Sequence, residues 1–313
     1  MRRLLLLPFI ILLIHTNADA QKRYRGRYSR SNSNKPFFEV YAGVGVSNFL
    51  GELGGSNKIG SNFARDLDIQ SSRPTFTLGG RVFYHPRIAQ RLSVTYGWLS
   101  GDDKYTKEPA RNERNLNFRT PLFEVNTALE IYLLKESPQR NRYRLVSSRQ
   151  KGNPVSIYLF GGVGGFYFNP KGKNPVTGEW VALQPLHTEG QGIIGTRQPY
   201  KRFQVCIPMG LGFTFRLAPQ WRLGIDLGLR KTFTDYIDDV SLTYVDPAMF
   251  AQSGSPNAAL SAIMSDKSKG NIPGGSAPGQ QRGDPKDKDS YMFLTINLAY
   301  KFGTGGPSMP KFF

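Results

Sequence analysis

The sequence predicts an all-β protein: a membrane-spanning, antiparallel, up-and-down β-barrel of about eight strands with long extracellular loops. Three observations predict it. Two-sided alternation recurs in separate segments from Phe38 to Phe302, tight turns alternate with long polar connections, and no stretch reaches the roughly 20 apolar residues of a membrane helix. A strand has a side-chain period of two, so each segment becomes a ribbon with one oily and one polar face. In lipid such a sheet closes on itself, because an open edge leaves backbone donors and acceptors unpaired.

In the first segment Phe38, Val40, Ala42, Val44 and Val46 form the outer face, and Glu39, Tyr41, Gly43, Gly45 and Ser47 the inner. Phe76 to Tyr84 repeats the pattern with Arg81 inside, a turn at Pro86 and Arg87 follows, and Leu92, Val94, Tyr96 and Trp98 return. Phe123 to Leu133 places Glu124, Asn126 and Glu130 inside. The next segment, Val155 to Tyr167, turns Gly162 and Gly164 inward, where a narrow barrel has little room. Phe203 to Phe213, a turn at Pro219, Trp221 to Leu229, and Met292 to Phe302 complete eight. Long outer loops then cover about residues 50–72, 101–117, 169–201 and 234–288. The glycine- and proline-rich end of the last, 270–288, reads as a loosely held segment. One long connection, 135–154, falls on the periplasmic side against the rule.

Ahead of the predicted barrel (37–303), residues 1–20 carry Arg2 and Arg3, an apolar core from Leu4 to Ile14 and Ala18-Asp19-Ala20, the pattern of a secretory signal. Residues 21–36 form a basic periplasmic tail and 304–313 a C-terminal tail. Export to the outer membrane takes nucleic acid out of consideration for a chain of formal charge +18, leaving lipid head groups or another envelope protein to meet the basic surplus. The single cysteine, Cys206, is assigned no chemistry.

The inward positions Glu39, Arg81, Glu124, Glu130, Asp226, Arg230 and Lys301 carry both signs. An eight-stranded barrel is just wide enough for side chains, so they are expected to form an ionic plug rather than a solute path. His187 with Asp238 and Asp239 competes as a hydrolytic acid/base set, and Asp235, Asp238 and Asp239 as calcium ligands; neither spacing supports the chemistry, and a solvent-facing histidine and loop-capping aspartates are expected. Two basic runs carry more weight. Arg25 and Arg27 lie in the N-terminal tail, and Arg140, Arg142, Arg144, Arg149 and Lys151 in the long periplasmic connection, a candidate docking surface for an acidic partner.

Four stretches, 118–124 (FRTPLFE), 161–170 (GGVGGFYFNP), 183–192 (LQPLHTEGQG) and 230–246 (RKTFTDYIDDVSLTYVD), carry a family likeness. The chain resembles the PorG-like outer-membrane proteins of the type IX secretion system of Bacteroidetes. That resemblance implies a non-enzymatic barrel, without cofactor, that docks to the periplasmic ring of the secretion and gliding machinery, a PorK/PorN-like lipoprotein and its partner. It implies no small-molecule substrate. Two other classes compete: a small OmpA/OmpW-like transport or sensing barrel acting alone, and a barrel hydrolase.

Overall fold

Eight long strands follow one another around a closed wall. The computed structural model describes residues 37–51, 53, 69–106, 108–136 and 153–302. The wall is built from β1 (Phe37–Leu50), β2 (Arg73–His85), β3 (Ile88–Asp102), β4 (Asn117–Leu134), β5 (Val155–Phe168), β8 (Phe203–Arg216), β9 (Trp221–Thr232) and β10 (Ser290–Phe302). Every adjacent pair is antiparallel, and β1 pairs with β10, so no edge is left open. In register, Glu39 lies opposite Lys301 and Arg81, and Asp226 opposite Thr295 and Gly212. Two short strands, β6 (Lys171–Lys173) and β7 (Trp180–Ala182), make a hairpin above the wall, joined to it where Lys171 meets Arg119.

Alternation explains which side chains meet lipid. Val44, Leu78, Leu92, Val125, Leu129, Leu159, Val163, Val205, Ile296 and Leu298 are exposed on the outside. Aromatic side chains bracket this band: Phe38, Tyr84, Trp221 and Phe302 at the tight-turn end, Phe76, Tyr96, Phe123, Tyr167 and Phe203 at the loop end. An apolar belt between aromatic girdles is the signature of a barrel that spans an outer membrane. No helix among the described residues is long and apolar enough to cross a membrane.

Inside, the wall departs from simple alternation. The sequence reading makes the inner face polar, yet Phe49, Phe118, Phe166, Phe168, Tyr291 and Phe293 also point inward at the loop end, and Phe83, Tyr132, Tyr158 and Phe160 at the turn end. Several of them have apolar neighbours in sequence, so runs such as Phe166-Tyr167-Phe168 hide the alternation. The inward aromatics have partners that local sequence does not show. At the loop end these are Ile237 and Val240, which descend from the last outer loop onto Phe49, Phe118 and Phe166. Glycines of inward parity make the space: a Cβ on Gly212 would overlap Tyr158 and Asp226, and one on Gly79 would overlap Tyr41.

The outer loops fold into a cap that holds three short helices, α1 (Pro109–Arg114), α2 (Pro247–Gln252) and α3 (Ala258–Ser265). Leu183, Leu186 and Met264 form its small apolar core. Residues 270–288, read from composition as loosely held, are tied down instead. Asn271 donates its backbone N–H to Glu113 at 2.7 Å, Gly279 N–H bonds to Tyr244 O at 2.9 Å, and Arg282 is buried. Local composition does not register these partners, because they come from other loops. The signal and tail segments 1–20, 21–36 and 304–313 lie outside the described residues, as do 137–152.

Candidate functional site

Two layers of buried polar chemistry occupy the axis of the barrel and its cap. In the middle of the lumen Arg81 donates to Glu130 Oε1 at 2.9 Å and to the Tyr158 hydroxyl at 2.8 Å, and lies 3.6 Å from Asp226. Arg91 reaches the same two carboxylates, Glu130 at 3.3 Å and Asp226 at 3.2 Å. Tyr158 donates its hydroxyl to Asp226, Asn297 donates to Asp226 at 2.9 Å, and Tyr132 donates to Glu130 at 3.0 Å. Arg81 also stacks on the Tyr41 ring at 4.5 Å, and Arg91 on Phe160 at 4.0 Å. Seven strands therefore contribute to a cluster of two carboxylates and two guanidiniums, an arrangement in which each buried charge is neutralised.

Nearer the cap, Glu124 accepts from Tyr291 at 2.7 Å and Asn126 at 2.6 Å and pairs with Arg230 at 3.3 Å. Arg230 in turn sits 4.3 Å over Phe293. At the turn end Glu39 pairs with Arg222 at 2.9 Å, and Arg222 also holds Glu136. Lys301, of the seven inward positions read from sequence, is the one set at the rim, half-exposed and 3.8 Å over the Phe37 ring. Between the middle and upper tiers lies a cavity of about 20 Å³ lined by Tyr41, Arg91, Ser93, Asp226 and Arg230. That is room for about one water molecule, not for a solute path.

Sequence reading omitted Arg91, Arg222, Tyr158, Tyr41 and Asn297 from this network. Arg91 and Arg222 sit within a few residues of the turns at Pro86 and Pro219, Arg91 just before the predicted strand and Arg222 at its second residue. Their parity with Ser93 and Gly224 was the available signal. The basic docking candidates Arg25, Arg27, Arg140, Arg142, Arg144, Arg149 and Lys151 lie outside the described residues. The foot of their connection is anchored: Glu136 donates its N–H to Ser156 Oγ at 3.0 Å while its carboxylate meets Arg222.

The second layer is the centre of the cap, where two of the family-like stretches meet. Glu189, from 183–192, accepts from the backbone of Ser241 at 2.9 Å and Leu242 at 3.1 Å, both in 230–246, and from Arg282 at 2.8 Å. Thr188 and Tyr200 donate to Asp239, Tyr200 at 2.7 Å, and Arg282 donates to the Asp239 carbonyl at 2.6 Å. His187 occupies a left-handed position at the end of a 3-10 turn, and it is the adjacent Thr188 that reaches Asp239. Asp238 uses its two oxygens on the backbone N–H groups of Val240, at 3.0 Å, and Leu53, at 3.3 Å. These aspartates hold loops together. Among the described residues no group of acids, histidines and cysteine is placed to hold a metal ion.

Titration in the cap follows from burial. Burial, offset only in part by Arg282, Thr188 and Tyr200, pushes Asp239 from the ordinary 3.8 up to about 6. Burial, aided by the Arg282 charge, pulls Lys267 down from 10.5 to about 8. Between about pH 4 and 6 the folded cap keeps the Asp239 proton that the opened loop releases, so cap stability falls as pH rises. Between about pH 8 and 10.5 the opened loop keeps the Lys267 proton that the folded cap lacks, so stability climbs again. The cap is expected to be weakest from pH 6 to 8, with each flank amounting to at most about 3 kcal/mol. Hydrogen exchange of residues 234–289, corrected for intrinsic rates, measures this directly, and a flat profile contradicts it.

No protein-family model and no curated protein sequence matches the chain. Among solved structures it is similar to Ail, the attachment invasion locus protein of Yersinia pestis, at 11% identity over 85% of this chain and 97% of that one, with a TM-score of 0.34. Neisserial surface protein A gives 9% identity over 85% and 97%, TM-score 0.37. The outer membrane protein OprG from Pseudomonas aeruginosa gives 10% over 87% and 98%, TM-score 0.39. At such low scores the architecture rests on the closed strand register rather than on the likeness.

Proposed function

We propose that this chain is a small outer-membrane barrel that acts alone as a surface-binding or sensing protein, through its folded cap rather than through its lumen. The observation that carries the reading is the filling of the lumen in three tiers. Aromatic side chains form the floor, the Arg81–Glu130–Arg91–Asp226 cluster the middle, and Ile237 and Val240 on Phe49 and Phe118 the roof. A solute path through this barrel requires breaking buried ion pairs, whereas the cap already presents a folded outer surface. Planar-bilayer recording of the full-length chain is expected to show no discrete conductance. Stable channels at neutral pH overturn the reading.

A second reading, docking to the periplasmic ring of a type IX secretion machinery, is carried by the sequence resemblance of the stretches 183–192 and 230–246 and by the basic run 140–151 predicted on the periplasmic side. On that reading deletion of the gene blocks secretion of cargo, and charge reversal at Arg140, Arg142 and Arg144 abolishes co-purification with the PorK/PorN-like ring. Normal secretion in the deletion strain removes it.

A further inference from the structure

The buried arginines of the barrel and cap, Arg81, Arg91, Arg222, Arg230 and Arg282, are all ion-paired, and six cations along one stretch of the outer wall are not. Arg119 on β4, Lys171 on β6, Lys201 and Arg202 before β8, Lys231 on β9 and Lys288 before β10 follow one another along adjoining elements at the loop end. Arg119 and Lys171 are register partners, and Lys231 lies opposite both Ile207 and Ser290. All six are exposed or half-exposed, and none has an ion pair among the described residues. Acids close by are engaged elsewhere or leave the cations alone: Asp289 is buried and accepts from Ile237 N–H, and exposed Asp287 makes no ion pair with Lys288.

These cations sit directly on the aromatic girdle. The Arg119 guanidinium lies 5.9 Å from the Trp98 ring and that of Arg202 lies 5.7 Å from Tyr167. Lys231 follows Leu229 on the outward face and precedes Phe233, which is 60% exposed; Phe203, beside Lys201 and Arg202, is 66% exposed. A ligand for this surface must be anionic at the height of the cations and apolar just below them, and it must lie in the plane of the membrane. Adjacent strands are about 4.8 Å apart, so cations on neighbouring strands grip one multiply charged head group. Lone phosphate lacks the apolar part, and a neutral lipid lacks the charge.

We propose that this arc is a docking surface for the phosphorylated head group of lipid A, the phosphate-bearing glycolipid of the outer leaflet, with its acyl chains against Phe203, Val205 and Phe233. The assignment rests on the outer-membrane reading with the loop end facing outward. The experiment is native mass spectrometry of the full-length chain in a neutral maltoside detergent, titrated with bis-phosphorylated lipid A. Retention of lipid A is expected, and an Arg119→Gln, Lys171→Gln, Arg202→Gln, Lys231→Gln variant is expected to weaken it by about fivefold per cation removed. Dephosphorylated lipid A is expected to bind wild type no better than the variant binds lipid A. Equal retention by the variant, equal retention of the dephosphorylated lipid, or equal affinity for phosphatidylglycerol overturns the proposal. Should the variant fail to fold, the comparison of phosphorylated and dephosphorylated lipid on wild type decides alone. Micelles are blind to orientation, so a failure of the outward-facing reading shows separately, as protease resistance of the cap on intact cells that lyse to a sensitive form.

Discussion

Replacing Arg81 with methionine is expected to destabilise the barrel by about 3–5 kcal/mol, the usual cost of removing one partner from a buried ion pair. Arg81 is fully buried and shares Glu130 and Asp226 with Arg91, so its loss leaves two carboxylates facing one guanidinium. Methionine keeps much of the volume and the contact with Tyr41 but supplies no donor to Glu130 or to the Tyr158 hydroxyl. Urea titration in lipid vesicles, followed by tryptophan fluorescence, measures the change. A lipid-facing control, Leu78→Val, removes one methylene and should stay within about 1 kcal/mol. A loss below that value for Arg81→Met means that solvent reaches Glu130 and Asp226, and with it that the lumen is open.

The second large effect is expected in the cap. Glu189→Ala deletes the acceptor of Ser241 N–H, Leu242 N–H and Arg282 in one step, leaving a buried guanidinium with the more distant Asp239 carboxylate at 4.0 Å. The expected loss is again about 3–5 kcal/mol, but local to the loops. The barrel wall shares none of these bonds. Limited proteolysis should therefore cut within residues 183–202 and 233–289 while the strands stay folded, as read by the heat-dependent shift in gel mobility typical of such barrels. Glu189→Gln keeps an acceptor for the two backbone groups and should lie between wild type and Ala. A Glu189→Ala cap as resistant as wild type contradicts the central role of this residue.

Much of the wall is legible in the linear chain because a strand's side-chain direction is a local property. Val44, Leu92 and Ile296 meet lipid, and Glu39, Glu130 and Asp226 point inward, by parity alone. Pairing is not local. Glu39 finds Arg222 two strands away, although Lys301 is its register neighbour, and Asp226 gathers Arg81, Arg91, Tyr158 and Asn297 from four other strands. Which cation reaches which acid depends on strand stagger and rotamer, neither of which is written in the spacing. The cap was least legible: 183–192 and 230–246 stand out as stretches, but their meeting at Glu189 joins positions about fifty residues apart.

The amino-acid sequence by itself determined that this chain crosses a membrane with strands, how many there are, and which face of each is oily, because a period of two converts composition into orientation residue by residue. Only the tertiary structure decided which side chains pair to fill the lumen and that the loops form one capped unit. Closure brings inward side chains from strands distant in sequence to within hydrogen-bonding distance, and the roof comes from Ile237 and Val240, residues of a loop whose docking follows from the shape of a barrel mouth that exists only once the wall has closed.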